Sequence, residues 1–288
     1  MKLNKFLKQA SSVLNRLDAW LPPEATKPNW QAVAYRWQSV GRTGVLESLP
    51  RPHTFPLSRL AAVDSQMQRL VRNTEQFIEG RSANNVLMTG ARGTGKSSLV
   101  KALLHEYAEH GLRLIEVDKS DLINLPALLL LLEKRPEKFI VFCDDLSFES
   151  GDDAYKALKT ALDGGLSVRC DNVLVYATSN RRHLMPEYMD ENIATTGERG
   201  EVHPKEAVEE KVSLSDRFGL WLSFYPFDQN DYLQAVQNWL ADFDLVYDDT
   251  ARQAALGWSL SRGSRSGRVA WQFACDWAGR MPEQRIID

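Results

Sequence analysis

Cysteine is scarce in this chain: three residues in 288, Cys143, Cys170 and Cys275, without the close spacings that metal ligation uses. Three such thiols cannot build a disulfide framework, and they favour a reducing compartment, so the expected location is the cytoplasm. Long apolar runs are missing as well. The longest, around Leu122 to Leu132, is interrupted by Asn124 and Pro126 and is too short to span a bilayer, so no transmembrane segment is expected. The N-terminus lacks the apolar segment of a signal peptide. Neither sign of charge is in excess: 35 Lys and Arg against 38 Asp and Glu leave a net −3. That removes any global pull toward nucleic acid and leaves only a local patch to provide one. Internal repeats and low-complexity tracts are absent. What is there, 43% hydrophobic and 25% charged residues, is the composition of a soluble globular protein with one large domain or a domain with appendages.

One stretch organises the rest. The apolar run Val86 to Thr89 leads into Gly90-Ala91-Arg92-Gly93-Thr94-Gly95-Lys96-Ser97, which fits G-x-x-x-x-G-K-[ST], and a helix-forming run from Ser98 to Glu109 follows. A strand, a glycine-rich turn and a helix start in that order bring backbone N–H groups and the positive helix end onto phosphate oxygens. Gly90 to Ser98 are therefore nucleotide-binding candidates, with Lys96 expected on the β and γ phosphates and Ser97 on Mg²⁺. The plain alternative is a glycine-rich turn with an incidental lysine.

About 50 residues on, Phe139 to Asp145 (FIVFCDD) is an apolar run ending in two carboxylates. It reads as a strand buried on both faces of a parallel sheet. Asp144 is the candidate to hold Mg²⁺, directly or through water, and Asp145 the candidate to orient and deprotonate the attacking water. The alternative is that the pair merely opens a loop. Leu112 to Val117 and Asn172 to Ala177 read as further strands, with a helix from Ser120 to Lys134 and another from Asp152 to Asp163. Asn180, just past the second strand, lies where polar residues border a phosphate crevice. Arg181 and Arg182 suit phosphate or a surface ion pair equally. Leu220 to Phe224 reads as a last strand.

The flanks are less informative. Residues 1 to 21 carry Leu3, Phe6, Leu7, Val13, Leu14 and Leu17 at helical spacing with a basic face. Packing on its own domain is preferred there to contact with a membrane surface, nucleic acid or a partner. Asn29 to Gln38 reads as a second short helix and Gly41 to Pro56 as a linker. Leu57 to Gly80 reads as a helix, in which Leu60 and Val63 are candidate adenine contacts, ordinary core burial being the equal alternative. Residues 186 to 212 form a long polar insertion: a partner-contacting loop or a solvated one, with a short helix over Pro204 to Lys211. After Phe227 the chain is helical, and Arg262, Arg265 and Arg268 lie in one link, as a basic patch or as an arginine reaching back to the nucleotide.

These motifs, in this order, resemble those of AAA+ ATPases, with GARGTGKS as Walker A and FIVFCDD as Walker B. The resemblance implies Asn180 as sensor 1, Arg217 in LSDRFG as the arginine finger, and Arg268 in SGRVAWQF as the sensor 2 arginine. From about Leu57 to Trp239, stretches such as GTGKSSLVKALL, FCDDLSFE, NVLVYATSNRRHL and EEKVSLSDRFGLWLSFYPF are similar to a bacterial AAA+ family of uncharacterised role. The Asp-Asp Walker B, where Asp-Glu is commoner, and the SDRFG finger are similar to those of the bacterial replication initiator and helicase-loader group. The resemblance implies an α/β P-loop fold with a five-stranded parallel sheet in the order 5-1-4-3-2. It further implies a helical extension and linker over 1–55, a nucleotide-binding domain over 56–226 and a helical lid over 227–288. ATP or ADP with Mg²⁺ would lie between sheet and lid. Arg217 would act in trans in a homo-oligomer, on an unidentified protein or DNA partner. The expected function is an ATP-driven remodelling or loading factor; the other reading is a slow-turnover binding switch. A small-molecule kinase leaves the sensor and finger motifs unexplained. A GTPase would need Asn-Lys-x-Asp, where this chain has Asp118-Lys119-Ser120-Asp121.

Overall fold

Among the described residues, seven apolar or alternating segments become strands, and the runs between and after them become helices. The computed structural model describes residues 27–40, 43–149, 152–163, 170–181, 184, 214–281 and 285. The strands are β1 (Ala34–Val40), β2 (Thr43–Ser48), β3 (Val86–Gly90), β4 (Leu112–Val117), β5 (Lys138–Cys143), β6 (Val173–Ser179) and β7 (Leu220–Phe224). The helices are α1 (Asp64–Ile78), α2 (Lys96–Tyr107), α3 (Leu125–Leu132), α4 (Asp153–Asp163), α5 (Gln229–Asp242), α6 (Asp249–Arg262) and α7 (Gly267–Gly279). Among the described residues no helix is long and apolar enough to cross a membrane.

The strands form one sheet in the order β2-β1-β4-β5-β6-β3-β7. Every neighbouring pair is parallel except β1 with β2. This corrects the expected five-stranded parallel sheet: among the described residues the sheet has seven strands, and the pairing is mixed. Strands β3 to β7 stand together as β7-β3-β6-β5-β4, and the β1–β2 hairpin extends the sheet beyond β4. The hairpin also corrects the helix expected over Asn29 to Gln38 and the linker expected over Gly41 to Pro56. Trp30, Val33, Ala34 and Trp37 do fit helical spacing, but Tyr35 and Trp37 alternate with Ala34 and Arg36, which is the strand period. Pairing decides between the two. Arg36 lies opposite Glu116 in register and bonds to it at 2.9 Å, while Tyr35 and Trp37 are buried on the other face. Across the hairpin Gly44 leaves room for the Trp37 ring, which a Cβ there would meet at 1.9 Å. The helix expected over residues 1–21 lies outside the described residues, as do the 186–212 insertion and Arg182.

Alternation along the strands builds two cores. Leu87, Ile115, Val141, Cys143, Val175 and Ala177 face α3 and α4. Val86, Met88, Leu114, Ile140, Phe142 and Tyr176 face α1 and α2. The expected helix starting at Leu57 is a 3-10 turn over Leu57–Arg59 followed by α1. A third core, centred on Tyr232, Val236, Phe273 and Trp277, joins α5, α6 and α7. It is tied to the sheet region by Arg59–Asp242 at 3.0 Å and by the edge contact of Phe55 with Trp239.

Candidate functional site

The parallel strands all end on one side of the sheet, and the chemistry-bearing residues gather there. β3 stops at Gly90, whose φ of 133° and backbone position leave no space for a side chain: a Cβ would lie 1.9 Å from the Phe224 carbonyl oxygen of β7. The loop then turns at Gly93 and Gly95, with φ of 75° and 95°, into α2. No side chain caps the start of α2, so its first N–H groups remain open to an anion. Thr94 braces the loop by donating to the Ala91 carbonyl at 2.8 Å.

Lys96 is 6% exposed, and its ammonium donates to the Gly90 and Ala91 carbonyls at 2.8 and 2.7 Å and to Asn180 Oδ1 at 3.0 Å. Burial holds its pKa below the ordinary lysine range; Asp144 and Asp145 oppose that shift, while Arg92 and Arg268 add to it. Ser97 Oγ donates to Asp144 Oδ1 at 2.6 Å. The Asn180 amide donates to Asp145 Oδ1, and Arg92 stands 4.0 Å from Asp145 Oδ2. The structure thus brings together Lys96, Ser97, Asp144, Asp145 and Asn180. Ser98 lies in the first turn of α2.

Thr178 is a site residue that sequence reasoning misses. It is 1% exposed, donates to Asp144 Oδ1 at 2.5 Å and accepts from the Asp145 N–H at 2.8 Å. It fixes Asp145 in a left-handed conformation, φ 51°, together with Leu146 N–H on the Thr178 carbonyl at 2.7 Å. A non-glycine residue held there costs about 1–3 kcal/mol and persists only where its surroundings impose it. The available signal is the strand period, which puts Thr178 and Asn180 on one side of the chain.

The remaining candidates frame this centre. Leu60 and Val63 lie 3.9 Å from where a Cβ on Gly95 would be; Val63 belongs to the core under α1 and α2, and half-buried Leu60 packs against it. Ser266 caps α7 and sits against Gly93, beside the Cβ of Arg268. Arg262 lies instead over the Trp258 ring at 4.9 Å. Arg217 is paired with Asp163 at the end of α4. Arg92, Asp145, Ser147, Asn180 and Arg181 line a cleft of about 380 Å³.

The residues fit Mg²⁺ and a nucleoside triphosphate: an uncapped helix start for phosphate, a buried lysine beside it, and a serine and an aspartate converging on one point. Among the described residues no cluster of three His, Cys, Asp or Glu could hold a metal alone. Mg²⁺ on phosphate needs no such cluster, since one or two protein oxygens, water and phosphate complete its shell.

Solved structures share this architecture. The AAA domain of FIGL-1 in complex with ADP matches with a TM-score of 0.52 at 16% identity, over 79% of this chain and 74% of that one. The Aeropyrum pernix ORC1 protein in complex with DNA matches at 0.53 and 14%, over 79% and 62%. The Thermotoga maritima RuvB Holliday junction branch migration motor matches at 0.47 and 14%, over 76% of this chain; the match spans 63% of the RuvB chain. The FIGL-1 and ORC1 matches show a shared fold, that of an AAA domain. No curated protein sequence matches the chain. The family model described as "Protein of unknown function (DUF815)" matches residues 30–281, and the chain belongs to that family.

Proposed function

We propose that this protein is a Mg²⁺-dependent ATPase that remodels or loads a macromolecular partner. One observation carries the nucleotide chemistry: Lys96, the Ser97–Asp144 pair and the Asn180–Asp145 pair converge at the mouth of an uncapped helix. In this reading the N–H groups of the loop after Ala91 and of the first turn of α2, with the Lys96 ammonium, bind the phosphates. Ser97 and Asp144 would hold Mg²⁺, which when bound neutralises phosphate charge. Asp145 takes the proton of the attacking water, and Asn180 orients that water. Leu60 and Val63 border the adenine, and Arg268 reaches the phosphates from the lid. The working division is 56–226, with the β1–β2 hairpin added to its sheet, for the nucleotide domain and 227–288 for the lid. The pairing of Arg217 with Asp163, outside the Lys96 centre, supports its use as a finger toward a neighbouring subunit. The partner is a protein or DNA; the net charge of −3 argues for protein.

A slow-turnover switch is the second reading, and Asp145 favours it. One of its oxygens accepts from Asn180 and the other faces Arg92, and both partners draw on the carboxylate that a water would use as its base. The deciding experiment is ATP turnover against protein concentration for wild type, Lys96→Ala and Arg217→Ala. Turnover per chain that rises with concentration and vanishes in both variants, with nucleotide binding lost only in Lys96→Ala, supports the shared-site ATPase. Tight nucleotide binding without turnover at any concentration supports the switch. Undiminished nucleotide binding by Lys96→Ala overturns both.

A further inference from the structure

The β1–β2 hairpin creates a second cavity, also of about 380 Å³, that none of the nucleotide residues lines. β1 lengthens the sheet past β4, and the chain leaving β2 passes over the face that α2 covers. Buried Leu104, Leu114 and Phe142 are apolar walls, joined by Leu49 and Pro52. Around them stand Arg36, Arg51, His53 and Lys101. The one carboxylate among the lining residues, Glu116, is already bonded to Arg36 at 2.9 Å. Arg51 and Lys101 have no ion-pair or hydrogen-bond partner among the described residues.

Arg51 and Lys101 therefore share one concavity with an apolar wall, while Arg36 is held by Glu116 with Asp118 and Glu47 nearby. The volume falls near the lower end of the range for small-molecule sites, roughly 300–1,000 Å³. We infer that this cavity binds a small amphiphilic anion: a carboxylate or phosphate head between Arg51, Lys101 and His53, and an apolar ring-sized body against Leu104, Leu114 and Phe142. The occupant would touch α2 one turn beyond Ser97 and β5 two residues before Asp144.

The test is calorimetric titration of the full chain with 1-naphthoate and with 1-naphthyl phosphate, with Mg²⁺ and excess ADP present. Neutral 1-naphthamide and inorganic phosphate serve as controls. At least one of the two anions is expected to bind below about 1 mM, and which one binds identifies the head group. Arg51→Ala and Lys101→Ala should each loosen binding by about fivefold or more, as loss of a charge-assisted contact does, whereas Lys134→Ala, on an exposed site elsewhere, should not. Unchanged melting temperatures show that the variants are folded. The inference fails if neither anion binds, if naphthamide binds as tightly, or if the Arg51 and Lys101 variants bind like wild type. None of these outcomes depends on ATP hydrolysis.

Discussion

Replacing Thr178 by valine keeps the side-chain shape and removes one hydroxyl. That hydroxyl donates to Asp144 at 2.5 Å and accepts from the Asp145 N–H at 2.8 Å. A hydrogen bond to a charged group contributes about 1.5–3 kcal/mol, and a buried orphaned N–H costs about 1–3 kcal/mol. Asp144 is exposed and can recruit water in exchange, so its share falls at or below the low end of that range. The expected loss is about 2–4 kcal/mol of unfolding free energy, read by urea denaturation. Activity should fall for a separate reason. Without the hydroxyl the left-handed turn at Asp145 is held only by the Leu146 N–H on the Thr178 carbonyl, and a misplacement of about 1 Å at a reacting group can lower a rate roughly a hundredfold. ATP turnover should therefore drop by about tenfold or more, while ADP affinity, set by Lys96 and the loop N–H groups, changes little. Thr178→Ser retains the hydroxyl and should restore most of the turnover at a cost of about 1 kcal/mol for the lost methyl. If Thr178→Val matches wild type in both stability and turnover, the hydroxyl does not organise the two aspartates and the reasoning is refuted.

Three other outcomes follow from the same geometry. Gly90→Ala places a Cβ 1.9 Å from the Phe224 carbonyl and should cost about 2–4 kcal/mol and the nucleotide affinity, whereas Gly257→Ala, in open space on α6, should gain about 0.4–1 kcal/mol; paired denaturation curves check both. Burial and the neighbouring Asp144 push the Cys143 thiol up to about 12, so maleimide should label exposed Cys275 in the native protein and reach Cys143 only after unfolding, as peptide mass mapping would reveal. Burial raises Tyr176 to about 12, opposed by its hydrogen bonds with Thr74 and Asn73; a raised folded-state pKa gives stability present below about pH 10 and lost as pH climbs through about 12. Unfolding free energy should thus decline by about 1.4 kcal/mol per pH unit from Tyr176 across that window, and a flat profile to pH 11.5 would contradict the burial argument.

Local patterns carried much of this protein. The glycines and Lys96 of the P-loop, the apolar run into Asp144-Asp145, and the strand before Asn180 are each contiguous, and a contiguous segment states its own backbone needs. Glycine at positive φ, an unbroken apolar strand and a helix start require no distant partner to be recognised. What depended on distant partners was decided only in the folded chain. Ala34 to Val40 satisfies helical and strand periods at once, and it is a strand because β4 offers it a parallel edge with Glu116 opposite Arg36. The P-loop loses a side chain at Gly90 to a carbonyl on β7, 134 residues away in sequence by subtraction of 90 from 224. Thr178 is an ordinary strand threonine until β5 and β6 lie side by side and set its hydroxyl between two aspartates. Arg268, rather than Arg262, meets the P-loop because Ser266 and Gly267 pack against Gly93. The second cavity has no sequence signature at all: its cations come from β1, the segment after β2 and α2, and only the added hairpin brings them around one apolar wall. Short-range sterics and periodicity are written in the order of residues, while pairing, burial and convergent charge exist only between segments that folding brings together.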